Sequence, residues 1–229
     1  MSLDDLPAGE AARIDGSAES PTPGAPFRGV VPKRTGQRPK RVIAVSGAKG
    51  GTGKTVLASN LSIYLASLGR TTVVVDADRS GAHLHTLLGV PPVLPSQVTY
   101  QPELPLPCVE NTTVPGLLFL NGGVAEGNAG LIRPRTRAEL FAMLPQLDCD
   151  YQVLDLCAGI EPELLDAFAA ADITLYVTVP EPSAVEGTYR FVRALFLRKL
   201  CQLAVDEAER SALLSLADEL GGLPVPREL

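Results

Sequence analysis

Five apolar runs punctuate the chain: RVIAV (Arg41 to Val45), TTVVVD (Thr71 to Asp76), LLFLN (Leu117 to Asn121), YQVLDL (Tyr151 to Leu156) and ITLYVTV (Ile173 to Val179). Each is β-branched or apolar almost throughout and lacks the alternation of a half-exposed strand, so each is expected to be a strand covered on both faces. Between and after them, Val56 to Ser67, Thr136 to Leu144, Glu161 to Ala169, Ala184 to Leu203 and Asp206 to Glu219 read as helices. Strands of this kind alternating with helices predict an α/β fold with a mainly parallel sheet between two helical layers. Such sheets place ligands at the carboxyl ends of their strands.

Two stretches break the pattern. Residues 1–40 are rich in Pro, Gly, Ser and Ala without apolar periodicity and are expected to be a disordered tail, leaving a folded domain over 41–204 and a C-terminal helix and tail over 205–229. Pro91 to Pro107 (PPVLPSQVTYQPELPLP) is expected to be a surface loop, with no task assigned.

Composition narrows the function classes. With 229 residues, 45% of them hydrophobic, and a net charge of -6, the chain suits one sizeable core and argues against a dedicated nucleic-acid coat. One segment runs against that balance: Phe27 to Arg41 gathers Arg28, Lys33, Arg34, Arg38, Lys40 and Arg41 with no acid. It reads either as a solvated linker or as a tether for DNA, anionic lipid headgroups or an acidic partner. Cys108, Cys149, Cys157 and Cys201 form no CxxC pair, and His83 and His85 lack a third ligand, so neither a zinc site nor a disulfide framework is indicated. No apolar run approaches the roughly 20 residues that span a bilayer, and the N-terminus lacks the order of a signal peptide. A cytoplasmic protein is expected, with peripheral contact at the inner membrane open through the basic segment. Thr188 to Leu203 combines cations with apolar residues, but its first half is expected to cover the sheet rather than lie on lipid.

The chemistry concentrates in SGAKGGTGKT, Ser46 to Thr55, between a strand and a helix. Gly50, Gly51 and Gly53 are expected to take positive φ angles and bring backbone N–H groups close to an anion, with the helix dipole aimed at the same point. In such a loop Lys54 sits on the β and γ phosphates and the Thr55 hydroxyl serves Mg²⁺. The strict pattern G-x-x-x-x-G-K-T asks for glycine at position 48, where this chain has Ala48.

The second lysine accounts for that departure. KGGTGKT resembles the deviant Walker A motif of the ParA/MinD family of P-loop ATPases, closest to the MinD/FlhG branch, in which a lysine precedes the paired glycines and the residue before it varies. The resemblance implies a P-loop NTPase fold, ATP and Mg²⁺ as cofactors, and an ATP-dependent homodimer in which Lys49 reaches the nucleotide of the other subunit. It assigns nucleotide binding to Gly50, Gly51, Thr52, Gly53, Lys54, Thr55 and Val56, with Lys49 and Lys54 also catalytic. TTVVVDADRSGAHLHTLLG (Thr71 to Gly89) resembles the family's second strand and first switch, which implies that Asp78 orients the attacking water and Asp76 supports the Mg²⁺ shell. DYQVLDLCAGIEPELLDAFAAADITLYVTVPEPSAVEGTYRFVRALF (Asp150 to Phe196) is similar to the third block, with Asp155 as the Mg²⁺-holding acid and Gly159 as the second-switch glycine.

Family patterns cover roughly 41–200, and the sequence ends before the further strands, one of which carries an adenine-reading asparagine. The implied function is a slowly hydrolysing dimerisation switch that positions a flagellum, a division site or DNA cargo, answering to a protein activator or cargo. The alternative is a non-hydrolysing binding module with the same fold. An iron–sulfur carrier of the same superfamily is disfavoured, because no CxxC pair is present, so no cluster is expected.

Overall fold

The computed structural model describes residues 39–78, 84–90, 109–122 and 137–219. The expected tail, apart from residues 39 and 40, lies outside the described residues, as do the Pro-rich loop, His83 and Cys108. In chain order the elements are β1 (Arg41–Gly47), α1 (Lys54–Ser67), β2 (Thr72–Asp76), α2 (Leu84–Leu87), β3 (Glu110–Asn111), β4 (Leu117–Asn121), α3 (Arg137–Met143), a 3-10 turn (Leu144–Gln146), β5 (Tyr151–Asp155), α4 (Pro162–Ala170), β6 (Ile173–Val177), α5 (Pro182–Leu203) and α6 (Glu207–Glu219).

The strands form one six-stranded sheet in the order β3-β4-β2-β5-β1-β6, parallel except for the β3–β4 pair. All five expected strands are present. Strand β3 and helix α2 are additions that the sequence did not announce, since two and four residues are too few to carry a period.

Alternation along each strand divides the core into two layers. Val74, Val153, Ile43, Val45 and Phe119 point to the face covered by α1 and α2, where they meet Ala58, Ala66, Leu84 and Leu88. Val73, Val75, Ala44, Leu118 and Leu154 point to the opposite face and meet Leu140 of α3, Leu164 and Phe168 of α4 and Phe191 of α5. Helix α1 approaches the sheet through small side chains, Ala58, Ser59, Ser62 and Ala66, all buried. The Ser62 hydroxyl is satisfied within the helix by donating to the Ala58 carbonyl at 2.7 Å.

Two cations of the basic segment are spent on this architecture. The Lys40 ammonium donates to the carbonyls of Leu144, Pro145 and Leu147 at 3.3, 2.7 and 3.2 Å, closing the 3-10 turn. Arg41 pairs with Asp172 at 2.9 Å, and the other Asp172 oxygen takes the Val42 N–H. Arg28, Lys33, Arg34 and Arg38 lie outside the described residues. No helix among the described residues is long and apolar enough to cross a membrane.

At the top of β1, Gly47 pairs in register with Val177 of β6, and a Cβ there would run into the Val177 carbonyl oxygen. That obstacle is backbone and cannot swing away. Gly47→Ala is therefore expected to lower unfolding free energy by about 1–3 kcal/mol, the usual cost of forcing an extra carbon into a filled space, as measured by urea denaturation. Alanine at Gly50, whose Cβ would meet nothing, is the control.

Candidate functional site

The register of the central strands builds the site. Asp76 at the end of β2 pairs directly with Asp155 at the end of β5, and Asp155 pairs in turn with Val45 of β1. Both acids share the parity of Val74 and Val153, so both carboxylates point to the α1 face, beneath the first turn of α1. They are 1% and 2% exposed.

The loop after β1 delivers Lys54 and Thr55 to the same place. Gly51 has φ +80° and Gly53, the residue capping α1, has φ +92°, conformations that favour glycine. Gly50 corrects the sequence-based expectation: it is not among the positive-φ glycines, and the turn is made by Gly51 and Gly53 alone. No side chain caps α1, so the N–H groups of its first turn and its positive dipole end face the loop. The Lys49 carbonyl gathers the loop, accepting the Thr52 hydroxyl at 3.2 Å and the Lys54 ammonium at 2.7 Å. Lys54 is buried, whereas Val56, two residues on in the same turn, is exposed.

Burial pushes the Asp155 carboxyl up to about 7; the Thr55 hydroxyl, by hydrogen bonding, and the Lys54 charge pull the other way, while Asp76 and Asp78 add to the rise. Asp76 is also raised, first by burial, against hydrogen bonds from the N–H groups of Asp78 at 3.1 Å and Leu84 at 3.3 Å. Asp76 thus ties the start of α2 and the turn at Asp78 to the strand end. Asp78 is half-buried, and its charge is felt by both acids. Gly159, four residues beyond the end of β5, has the Glu161 carboxylate against its Cα.

Lys49 points elsewhere. Its ammonium pairs with Glu181, at the start of α5, at 3.1 Å, with both side chains more than half exposed. Such pairs contribute about 0–1 kcal/mol, so Lys49 can leave at little cost. Three residues here escaped the sequence reading: Gly47, Glu181 and Gly187. A Cβ on Gly187 would come within 2.8 Å of the Ala48 methyl, so α5 lies directly on the loop. The sequence signal for Glu181 was its place in Pro180-Glu181-Pro182, between the last strand and the long helix; Gly47 and Gly187 had none short of the fold.

A basic loop at a helix N-terminus beside two buried carboxylates and a threonine hydroxyl defines a P-loop nucleotide site. Its oxygen donors, Thr55, Asp76 and Asp155, are the hard ligands that suit Mg²⁺. A family model described as "ParA: NUBPL iron-transfer P-loop NTPase" matches residues 38–198, and the chain belongs to that family. The chain is 32% identical over 166 residues to the antiactivator FleN of Pseudomonas aeruginosa, covering 69% of this chain and 57% of FleN. It is 29% identical over 203 residues to the septum site-determining protein MinD of Synechocystis, covering 81% of this chain and 73% of that protein. The MinD structure from Pyrococcus horikoshii OT3, solved with Mg-ADP, superposes with a TM-score of 0.55 at 25% identity over 69% of this chain and 65% of that one. Iron transfer is said of the family model; in this chain Cys149 and Cys157 are buried and Cys201 is half-buried. Among the described residues no group of three or more His, Cys, Asp or Glu is placed to hold a metal ion.

A raised carboxyl has a definite consequence for the metal-free protein. Between the unfolded value of 3.8 and about 7 the folded chain holds the Asp155 proton more tightly than the unfolded chain, so stability falls as pH rises through that window and levels off above it. The full penalty is up to about 4 kcal/mol. Without divalent cation, Asp155→Asn should be more stable than the parent at pH 8 and lose that advantage near pH 4, read by guanidinium denaturation at both pH values.

Proposed function

We propose that the chain is an ATP-binding, slowly ATP-hydrolysing switch of the MinD/ParA kind, which dimerises around Mg-ATP and helps to position cellular machinery. The observation that carries this reading is the in-register pair Asp76–Asp155 beneath Lys54 and Thr55, with a second lysine, Lys49, on the same loop. The likeness to MinD and FleN supports it, although the chain spans only 57% of FleN.

In this reading Lys54 exchanges the Lys49 carbonyl for the β and γ phosphates, which also meet the N–H groups from Gly50 to Val56. Mg²⁺, when bound, would neutralise phosphate charge. Thr55 and Asp155 hold it, and Asp76 supports that shell. Asp78 orients the attacking water. Lys49 leaves Glu181 and stabilises the transferring phosphate of the second copy, as an arginine finger does. Gly159 offers its N–H to the γ-phosphate, and Ala48 against Gly187 transmits loop movement to α5. Loss of the γ-phosphate then releases the dimer.

The deciding experiment is light-scattering mass with Mg²⁺ and either ADP or a non-hydrolysable ATP analogue, with phosphate release from ATP measured alongside. A dimer seen only with the analogue, together with slow release, supports the switch; a monomer in both states without release leaves the non-hydrolysing module. Lys54→Ala should abolish nucleotide binding. Lys49→Ala should keep monomer binding and lose the ATP-dependent dimer, so an unchanged dimer removes its trans role. Asp78→Ala should trap the dimer by stopping hydrolysis, and phosphate release at the native rate would overturn that assignment.

A further inference from the structure

Gly187 lies in the second turn of α5 and is not among the glycines of positive φ, so its backbone is open to any residue. A glycine in that setting weakens the helix, because it loses more freedom on folding than alanine does and adds no side chain to pack. Nothing within α5 asks for it. The requirement comes from across the gap, where a Cβ on Gly187 would meet three atoms of one residue: the Ala48 methyl at 2.8 Å, its carbonyl oxygen at 3.4 Å and its Cα at 3.5 Å. That methyl is bonded directly to backbone and has no rotamer to take it elsewhere.

With a second methyl in the gap, either the helix or the loop must move, and the two are held unequally. On α5, Ala184 and Phe191 lie on the same side as Gly187, one turn to either end, and both are buried. The Phe191 ring is 5.1 Å from that of Phe168 and 4.5 Å from that of Tyr176. Thr188, the next residue, reaches the Thr178 hydroxyl at 3.1 Å and the Ala184 carbonyl at 2.8 Å. This part of the helix is set by the core. The connection from β1 to α1 is softer, since Gly50, Gly51 and Gly53 all fall within it. The loop therefore yields first. A shift at Ala48 passes through one peptide bond to the Lys49 carbonyl, which accepts the Thr52 hydroxyl at 3.2 Å and the Lys54 ammonium at 2.7 Å.

We propose that Gly187 is a positioning residue for the nucleotide loop, a role that rests on the reading of this loop as a nucleotide site. Ala48 and Gly187 are a fitted pair with room for one methyl between them, and α5 is the stop against which the loop rests. Gly187 touches no nucleotide; it acts through Ala48 on the Lys49 carbonyl and on Lys54. The methyl can sit on either partner. Once Ala48 is glycine, a Cβ at position 187 keeps 3.4 and 3.5 Å from the remaining atoms, which is ordinary van der Waals contact. Moving the methyl across the gap therefore restores the fit that a second methyl destroys, an outcome that a general packing role for Gly187 does not give.

Gly187→Ala, Ala48→Gly and the two together, each in the full chain, decide the matter. Affinity for Mg-ADP is read by isothermal titration calorimetry, and amide hydrogen exchange over residues 48–54 is read on the nucleotide-free protein. Gly187→Ala should weaken Mg-ADP by about fivefold or more, because small misplacements of binding groups are amplified, even though alanine is the better helix former. Exchange of the loop amides should rise by about threefold in the same variant, while amides of β2 and β5 stay as in the parent. The double variant should return both quantities to within about twofold of the parent. A Gly187→Ala protein that binds and exchanges like the parent, or a double variant no better than Gly187→Ala, overturns the proposal. A parent that fails to bind Mg-ADP removes the nucleotide site instead, and loop exchange in the nucleotide-free variants then decides alone whether Gly187 positions the loop.

Discussion

Two carboxylates are buried side by side at the ends of β2 and β5, and the geometry of the site follows from that. Like charges removed from water repel and lose hydration together, an arrangement a fold keeps only where something compensates. Here the compensation comes from the loop between β1 and α1: the Thr55 hydroxyl, the Lys54 ammonium and the uncapped N-terminus of α1 all converge on the pair. None of these alone neutralises Asp155, whose carboxyl stays up at about 7. A divalent cation held by oxygen donors would relieve that repulsion directly.

The same pair is tied to the segments around it. Asp76 accepts the N–H groups of Asp78 and Leu84, so a change at the strand end is felt at the turn that carries Asp78 and at the start of α2. On the other side the Ala48 methyl rests on Gly187 and Lys49 reaches Glu181, which ties the loop to the beginning of α5. These attachments differ in strength. The Asp76 contacts are buried or partly buried; the Lys49–Glu181 pair is open to water and screened.

Much of this was legible before the fold because the signals were local. Strands covered on both faces must be apolar throughout, so five runs announced five parallel strands, and an acid closing such a run, as Asp76 and Asp155 do, stands out by its cost. What stayed hidden depends on neighbours distant in sequence. Strand β3 exists because Glu110 and Asn111 meet Phe119 and Leu118, and nothing within two residues records that. Lys40 and Arg41 looked like the end of a basic tether until Asp172 and the carbonyls after α3 claimed them. Gly50 reads like Gly51 and Gly53 in the sequence, yet only the latter two take the left-handed turn.

Helix α5 shows how one element can answer to two constraints at once. Its inner face is fixed by the core, through Phe191 against Phe168 and Tyr176. Its second turn is fixed by the loop, because Gly187 must leave room for Ala48. Neither demand accounts for Val185, Tyr189, Val192, Phe196 and Leu203, which spend apolar surface on water over the whole length of the helix. A helix that only covered a sheet would carry polar residues there.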